Sequence, residues 1–145
     1  MAATVYADSS FWVSLYVRDA HSERAREVVV DNSPIFLTEI VEHELRNAIR
    51  LSVFRKQITK AQSQASLTAF ADDQSTRLVE NARLVWQNLF ERTEALSDRY
   101  TAKQGQRATD ILHVASALEL GAKCFLTFDH RPARLAKAAG LKVVT

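Results

Sequence analysis

Glycine is scarce in this chain, and its scarcity excludes a familiar kind of phosphate-binding site. The 145 residues contain only three glycines, Gly105, Gly121 and Gly140. A dinucleotide-binding or P-loop site places several glycines in one loop so that backbone amides can hold phosphate groups. If this protein handles phosphates, it must therefore use a metal ion or its side chains.

Cysteine, long apolar runs and a large net charge are also missing. The single cysteine, Cys124, excludes an internal disulfide, and its position in an apolar run predicts a small core residue. No apolar run approaches about 18 residues, and no basic segment followed by an apolar one opens the chain, so we expect neither a membrane span nor a signal peptide. The expected location is the cytoplasm. A net charge of +2 is too small to require a nucleic acid as partner.

The remaining composition and patterning predict one α/β domain that spans residues 1–145. Hydrophobic residues make up 47% and charged residues 25% of the chain, as in ordinary globular proteins. Short apolar runs alternate with amphipathic segments in the order β, α, α, β, α, α, α, α, β, α, β, which favours a mainly parallel central sheet of four to five strands covered by helices on both faces. Thr59 and Gln62 resemble a capping box. We expect a brief extended link at Arg77–Glu80 and a helix from Asn81 to about Tyr100.

The segment Arg107–Asp129 is predicted to be a helix, a tight turn and a buried strand. Apolar residues recur at helical spacing over Ile111–Leu118, and Cys124–Phe128 is a short apolar run. Asp110 lies within the apolar arc of this helix, where an unpaired buried carboxylate costs several kcal/mol, so it requires a cation, a hydrogen-bond cage or a metal. Asp129 follows the strand at its carboxyl end, where ligands bind in open parallel sheets.

Two further acids occupy similar positions. Asp8 ends the predicted strand Thr4–Asp8. Glu44 lies in the long helix that Thr38 is expected to cap, on the same arc as Val41 and other apolar residues. A glutamate in the middle of a helix cannot be explained as a cap, which makes Glu44 the most informative single position.

Three of the four acids also have a purely structural interpretation. Asp110 can stabilise the first turn of its helix, and Asp129 can cap the helix that follows it. Glu44 can pair with Arg55 or Arg107. Single acids of these kinds are more often structural than catalytic, so the functional argument depends on all four acids together.

Four acids from separate elements, each at a strand end or on a buried arc, predict one site with a metal ion. Like charges ~4 Å apart repel by about 4 kcal/mol at an effective dielectric constant near 20, and a divalent cation removes this repulsion. A site with only oxygen ligands favours Mg²⁺ or Mn²⁺ over zinc. The four residues are Asp8, Glu44, Asp110 and Asp129.

The segments that contain these acids resemble the PIN domain, a family of metal-dependent ribonucleases that includes the VapC-like toxins of bacterial toxin–antitoxin pairs. The resemblance rests on YADSSFWVSLY, on LTEIVEHELRNAIR and on RATDILHVASALELGAKCFLTFD with the following RPARLAKAAGLKVV. It covers both ends of the chain, whereas about Thr59 to Gln106 matches no motif. The resemblance implies that the four acids are the catalytic metal ligands and that small hydroxyl residues order water, namely Ser9, Ser10 and Thr127.

The resemblance further implies a single PIN-like domain that acts as a Mg²⁺-dependent endoribonuclease and hydrolyses RNA phosphodiester bonds with metal-activated water. RNA is then the substrate, and a small antitoxin protein is a partner. The apolar excess of the helices over Thr38–Trp86, together with the resemblance, predicts a homodimer. Basic side chains expected to contact phosphates are Arg46, Arg50, Arg55, Lys56, Arg107 and Arg131.

Two other functions stay open at this point. One is a catalytically idle PIN scaffold that binds proteins, although an idle site has no reason to retain four repelling acids. The other is a phosphatase with Asp8 as nucleophile, but enzymes of the haloacid-dehalogenase type have a second acid two residues later, where this chain has Ser10. His113, next to Asp110 on its helix, is expected to be a hydrogen-bonded packing residue, with substrate contact as the alternative.

Overall fold

A computed structural model describes residues 2–145 and contains a five-stranded sheet in which every strand pair is parallel. The strand order across the sheet is β3-β2-β1-β4-β5. The prediction of a mainly parallel α/β sheet is therefore confirmed. The strands are β1 (Val5–Ala7), β2 (Ile35–Thr38), β3 (Val79–Ala82), β4 (Cys124–Leu126) and β5 (Lys142–Val144).

Helices connect successive strands. A π-helical turn at Ser97–Thr101 joins α5 to the very short α6. No helix in the described residues is both long and apolar enough to cross a membrane. The helices are α1 (Ser9–Tyr16), α2 (Ser22–Asn32), α3 (Glu39–Phe54), α4 (Lys60–Gln74), α5 (Trp86–Leu96), α6 (Ala102–Gln104), α7 (Ala108–Glu119) and α8 (His130–Ala138).

The connections place a layer of helices on each face of the sheet. From β1 the chain moves outward to β2 and β3, then returns across β1 to form β4 and β5. Because parallel crossovers are right-handed, the two directions put their helices on opposite faces. Accordingly α1 packs against α2, α3 and α4, whereas α7 packs against α5 and α8. β1 and β4 are neighbouring strands, and the connections that follow them run to opposite faces of the sheet. A crevice opens at the carboxyl ends of two strands arranged in this way.

The core lies between the central strands and the helices next to them. β1, β2 and β4 are buried along their whole length, as expected for parallel strands covered on both faces. Tyr6 and Phe125 stack across β1 and β4 with ring centroids 5.6 Å apart. Cys124 is buried in β4, which confirms the prediction of a small core residue.

Two helix starts are capped as predicted. The Thr38 side chain accepts a hydrogen bond from the Val41 amide at the start of α3. Thr59 and Gln62 form both hydrogen bonds of a capping box at the start of α4. The first of these caps fixes where the helix that carries Glu44 leaves the sheet.

The middle of the chain differs from the sequence prediction. The segment expected to be only an extended link overlaps a true edge strand, β3, which pairs with β2 over Val79–Ala82. The helix expected from Asn81 begins at Trp86, because Asn81 and Ala82 belong to that strand. A polar edge strand buries little of its surface, so it lacks the apolar pattern by which strands are predicted.

Candidate active site

The carboxyl ends of β1 and β4 open into a cavity of about 730 Å³. All four acids predicted from the sequence line it, together with Ser9 and Ser10. The topology explains this convergence. Two of the acids directly follow the central strands, and the other two lie on helices that pack beside these strands. They are Asp8 after β1, Glu44 on α3, Asp110 in the first turn of α7 and Asp129 after β4.

Asp8 is held by neutral donors. Its Oδ1 accepts hydrogen bonds from Ser10 Oγ at 2.7 Å and from the Phe11 amide at 3.1 Å, and its Oδ2 accepts one from Thr127 Oγ1 at 2.5 Å. Burial raises the pKa of Asp8 above its ordinary value, and the bonds from Thr127 and Ser10 oppose the rise. Two of the three hydroxyl groups predicted to order water, those of Ser10 and Thr127, thus contact the carboxylate itself.

Three of the acids also lie at the start of a helix, which the structural interpretation predicted for Asp110 and Asp129 but not for Asp8. Asp8 caps α1, and Asp129 caps α8 by accepting a hydrogen bond from the Arg131 amide at 3.1 Å. Asp110 accepts one from the Arg107 amide at 3.2 Å at the start of α7. The positive ends of three helix dipoles therefore face the cavity, and they favour negative charge there. The structural and functional interpretations apply to the same residues.

Arg107 neutralises two of the acids. Its Nε and Nη2 donate to the Asp110 carboxylate at 2.9 and 3.0 Å, and Nη2 also donates to Asp129 Oδ2 at 2.7 Å. The hydrogen bonds to Asp110 raise the pKa of Arg107. Asp110 is buried, so Arg107 is the cation that its position required. The i, i+3 spacing could have indicated the pair with Asp110, whereas the sequence analysis considered Arg107 only as a partner of Glu44. Asp129 is reached only through the fold.

Glu44 contacts a buried pair of ring side chains. Its Oε1 lies 2.9 Å from His113 Nε2, and the Tyr6 hydroxyl is 2.8 Å from His113 Nδ1. His113 is only 4% exposed, which confirms the prediction of a hydrogen-bonded packing residue. Burial raises the pKa of Tyr6, so the phenol keeps its proton at neutral pH. Ser9 Oγ donates to Glu44 Oε2 at 3.5 Å.

The donor chemistry of the cavity fits Mg²⁺ or Mn²⁺, but the side chains are not gathered around one point. Within residues 2–145, no three His, Cys, Asp or Glu groups are close enough together to hold an ion. Arg107 accounts for part of this, since it holds Asp110 and Asp129. Glu44 Oε1, in contrast, is buried, and it lies beside His113 Nε2 rather than beside a permanent cation. A set of carboxylate oxygens suits a hard cation, provided that Arg107 releases a carboxylate.

Of the basic residues expected to contact phosphates, Arg107 alone lines this cavity. Arg55 lines a smaller neighbouring cavity of about 300 Å³ that shares Val13 and Leu51 with the first. Arg46 instead pairs with Glu42 and lies over the Phe70 ring. The remaining three, Arg50, Lys56 and Arg131, are exposed outside the cavity.

The cavity also has an aromatic rim that the sequence did not reveal. His21 stacks on Phe128 with ring centroids 4.5 Å apart and planes 9° apart, and Phe128 stacks on Phe11 at 5.3 Å and 18°. His21 and Phe128 both line the cavity. The three residues are far apart in sequence, so no local pattern marks them as a group.

Comparison with known proteins agrees with this arrangement. The PIN domain model matches residues 5–138. No curated protein sequence matches the chain. Several solved structures share its fold, and three of them match nearly the whole length at sequence identities too low to indicate more than fold.

The first of these structures is VapC20 from Mycobacterium tuberculosis, a toxin that cleaves the sarcin-ricin loop; it is 19% identical, with 94% of this chain and 95% of that chain covered and a TM-score of 0.67. VapBC2 from Rickettsia felis, bound to a DNA fragment from its promoter, is 17% identical, with 97% and 96% covered and a TM-score of 0.66. FitAcB from Neisseria gonorrhoeae is 14% identical, with 97% and 96% covered and a TM-score of 0.69.

Proposed function

Since this chain belongs to the PIN domain family, we propose that it is a Mg²⁺- or Mn²⁺-dependent endoribonuclease that hydrolyses RNA phosphodiester bonds, as the VapC-like toxin of a toxin–antitoxin pair. One observation carries the proposal, namely that four acids from four elements line a single cavity. The similarity in fold to a toxin that cleaves the sarcin-ricin loop supports RNA as the substrate class.

Asp8, Glu44, Asp110 and Asp129 would hold the metal. When bound, the ion would polarise a water molecule for attack and neutralise charge that develops on the phosphate. Asp8 is already oriented by Ser10 and Thr127, which fix both of its oxygens. Glu44 is held by His113 Nε2, 2.9 Å from its Oε1, and by Ser9, which donates to its Oε2.

In this proposal Arg107 has two roles, namely to neutralise acids and to contact RNA. Its guanidinium stabilises Asp110 and Asp129 while no metal is bound. If a bound cation held one of these carboxylates instead, the N–H groups of Arg107 would be available to donate to phosphate oxygens of the RNA, because a planar guanidinium matches phosphate as well as carboxylate. Half of the Arg107 side chain is exposed, so it can reach substrate without unfolding the site.

A protein partner and self-association complete the proposal. The similarity in fold to VapBC2 and FitAcB supports a small antitoxin as partner. A homodimer is the assembly we propose for the chain. Its location would be the cytoplasm, where RNA substrates occur. A gene for a small DNA-binding protein directly upstream would support the toxin assignment.

Cleavage assays test the activity. The purified protein is incubated with transfer RNA and ribosomal RNA fragments in Mg²⁺, Mn²⁺, Zn²⁺ or EDTA, and we expect cleavage only with the first two ions. Asp8→Asn should abolish it, whereas Asp31→Asn, a matched change of an exposed acid on α2, should not. Absence of metal-dependent cleavage across all substrates would favour the protein-binding scaffold. The phosphatase alternative is weakened because Ser10, in place of the second acid, donates its hydroxyl to Asp8.

A further inference from the structure

We propose that His21 is a nucleobase-binding residue at the rim of the cavity, and that its exposed face stacks against the base of an unpaired nucleotide next to the scissile phosphate. This inference rests on the proposed function, because it assumes that RNA enters the cavity. It adds a subsite that recognises the base, whereas the acids act on the phosphate.

The first support is the ring stack itself. Phe11 is fully buried, Phe128 is partly buried and His21 is exposed. The three rings are nearly parallel, with planes 18° apart at the inner step and 9° at the outer step. The stack thus runs from the core to the surface, and the last ring has one face on Phe128 and the other available. A nucleobase can extend such a stack, because every base has a flat π-face.

The second support is the connection between this stack and the acid site. The Phe11 amide donates to Asp8 Oδ1 at 3.1 Å. The Phe128 amide donates to Ser10 Oγ at 3.3 Å, and Ser10 Oγ donates in turn to Asp8. Both inner rings are therefore fixed, within one or two hydrogen bonds, to the carboxylate that we assign to the metal. A base on His21 would have a defined position relative to the reacting phosphate.

The third support is the rigidity of the loop that carries His21. The Asp19 side chain accepts hydrogen bonds at 2.8 Å from the His21 amide and from Ser14 Oγ. Ser22 Oγ accepts one from the Asp19 amide at the same distance. Ser14 and Ser22 are buried, so these bonds anchor the loop to the protein. A platform that is already ordered loses little conformational entropy when a ligand binds.

The chemistry around His21 favours a base over a phosphate as the ligand. The Asp19 carboxylate accepts a hydrogen bond from the His21 amide, so a negative charge lies in this loop and would repel an anion. Because bases in an RNA helix are stacked and paired, the ligand class is a single-stranded segment or a loop.

Binding measurements on matched oligonucleotides test the inference. The protein carries Asp8→Asn to prevent cleavage and is kept in Mg²⁺. The probes are fluorescein-labelled hexamers of adenylate and of uridylate, and a hexamer with the same sugar-phosphate backbone but no bases. We expect the base-bearing hexamers to bind about 5- to 150-fold more tightly than the abasic one, the range for one stacked base.

Substitutions at His21 assign that difference to the ring. His21→Ala should reduce the ratio between base-bearing and abasic hexamers to about one, and His21→Phe should restore it because the flat ring is kept. His43→Ala is the matched control, since His43 is also exposed and lines the same cavity but stacks on no other ring. It should leave the ratio unchanged.

The inference is overturned if His21→Ala keeps the full ratio, if His43→Ala lowers it equally, or if the parent binds all hexamers alike. If instead the proposed function is wrong, the failure appears in a different experiment: the parent with Asp8 intact cleaves no RNA in Mg²⁺ or Mn²⁺. A protein that cleaves RNA but shows the same hexamer ratio with and without the His21 ring refutes the subsite alone.

Discussion

Arg107 reaches two acids that are far apart in sequence and supplies the positive charge that both need in the metal-free protein. A metal ion bound at the proposed site would compete with this guanidinium for Asp110 and Asp129. At the scale of single residues, the proposed function thus gives these acids two alternative cations. Removing Arg107 should therefore increase the effect of the metal ion on stability.

Arg107→Ala should destabilise the protein in EDTA by about 1 to 3 kcal/mol, because it leaves the buried Asp110 carboxylate unpaired. The loss should be smaller than the ~3 to 5 kcal/mol of a fully buried pair, since the Arg107 side chain is half exposed. Mg²⁺ should recover much of the loss and stabilise this variant more than the parent. Urea unfolding with EDTA and with ~5 mM Mg²⁺ measures both effects.

The control for this prediction is Arg24→Ala, which breaks a pair with Glu27 that is more than half exposed on both sides. Exposed pairs contribute about 0 to 1 kcal/mol, so this change should have little effect in either buffer. If Arg107→Ala is as stable as the parent in EDTA, Arg107 does not neutralise Asp110 in solution.

Asp8→Asn should leave the protein at least as stable as the parent in EDTA at pH 7. Burial raises the pKa of Asp8, so the folded state binds its proton more tightly than the unfolded chain. The stability that Asp8 contributes is then present below its ordinary pKa of 3.8 and is lost as pH rises through the folded pKa. The free energy of unfolding of the variant, relative to that of the parent, should therefore increase from about pH 4 to about pH 7.

Thermal melts over this pH range, with EDTA and with Mg²⁺, measure this difference. Mg²⁺ should raise the melting temperature of the parent more than that of Asp8→Asn. Asp31→Asn, in an exposed position, should behave as the parent does. A much lower melting temperature for Asp8→Asn in EDTA, with no response to Mg²⁺ in either protein, would make Asp8 a structural residue only.

At the scale of secondary structure, the sequence predicted the elements that have strong apolar periodicity or a recognisable cap. β1, β2, β4 and the helix that carries Glu44 are of this kind, because their burial imposes the pattern. β3 was not recognised as a strand, since an edge strand with the sequence VENA is stabilised by backbone pairing with β2 and not by its side chains. Pairing between distant segments leaves no local signal.

The same reasoning separates what could be predicted of the site from what could not. The four acids were found because an acid on an apolar arc or at a strand end conflicts with its local pattern. The bond from Arg107 to Asp129 and the stack of His21 on Phe128 follow no local rule. Both depend on the fold, which brings together side chains from separate elements.

Thr59→Ala should lower the free energy of unfolding by about 1 kcal/mol, because it removes the side-chain acceptor of the capping box on α4. Thr59→Ser, which keeps a hydroxyl, should lose much less. RNA cleavage should be unchanged in both, since no residue of α4 lines the cavity. Urea unfolding provides the measurement. An equal loss in both variants would show that the methyl group matters more than the cap.

At the scale of the whole molecule, apolar side chains remain exposed on α5. Trp86 and Phe90 are 62% and 54% exposed and lie one helical turn apart on the same side of that helix. Trp86 therefore does not belong to the core, although it lies in an amphipathic helix. Soluble monomers seldom expose several large apolar groups together, so this face is where we place the predicted homodimer contact.

The purified chain should have the mass of two copies by light scattering at ~10 µM. Trp86→Glu should reduce it to one, because burying an unpaired carboxylate in a contact is costly. Val30→Glu changes a side chain that is 79% exposed on α2 and should leave the dimer intact. A parent mass of one copy at this concentration would contradict the prediction.

Two of the four acids cap helices, and this affects which substitutions the protein can accept without a change of structure. Capping requires only an acceptor oxygen, and asparagine caps a helix about as well as aspartate. Hydrolysis, in contrast, requires the negative charge. A single substitution from Asp to Asn at Asp8 or Asp129, which cap α1 and α8, should thus remove the chemistry and keep the shape. Such a variant would still engage RNA and partners, and in a cell it would act as a competitor of the active protein.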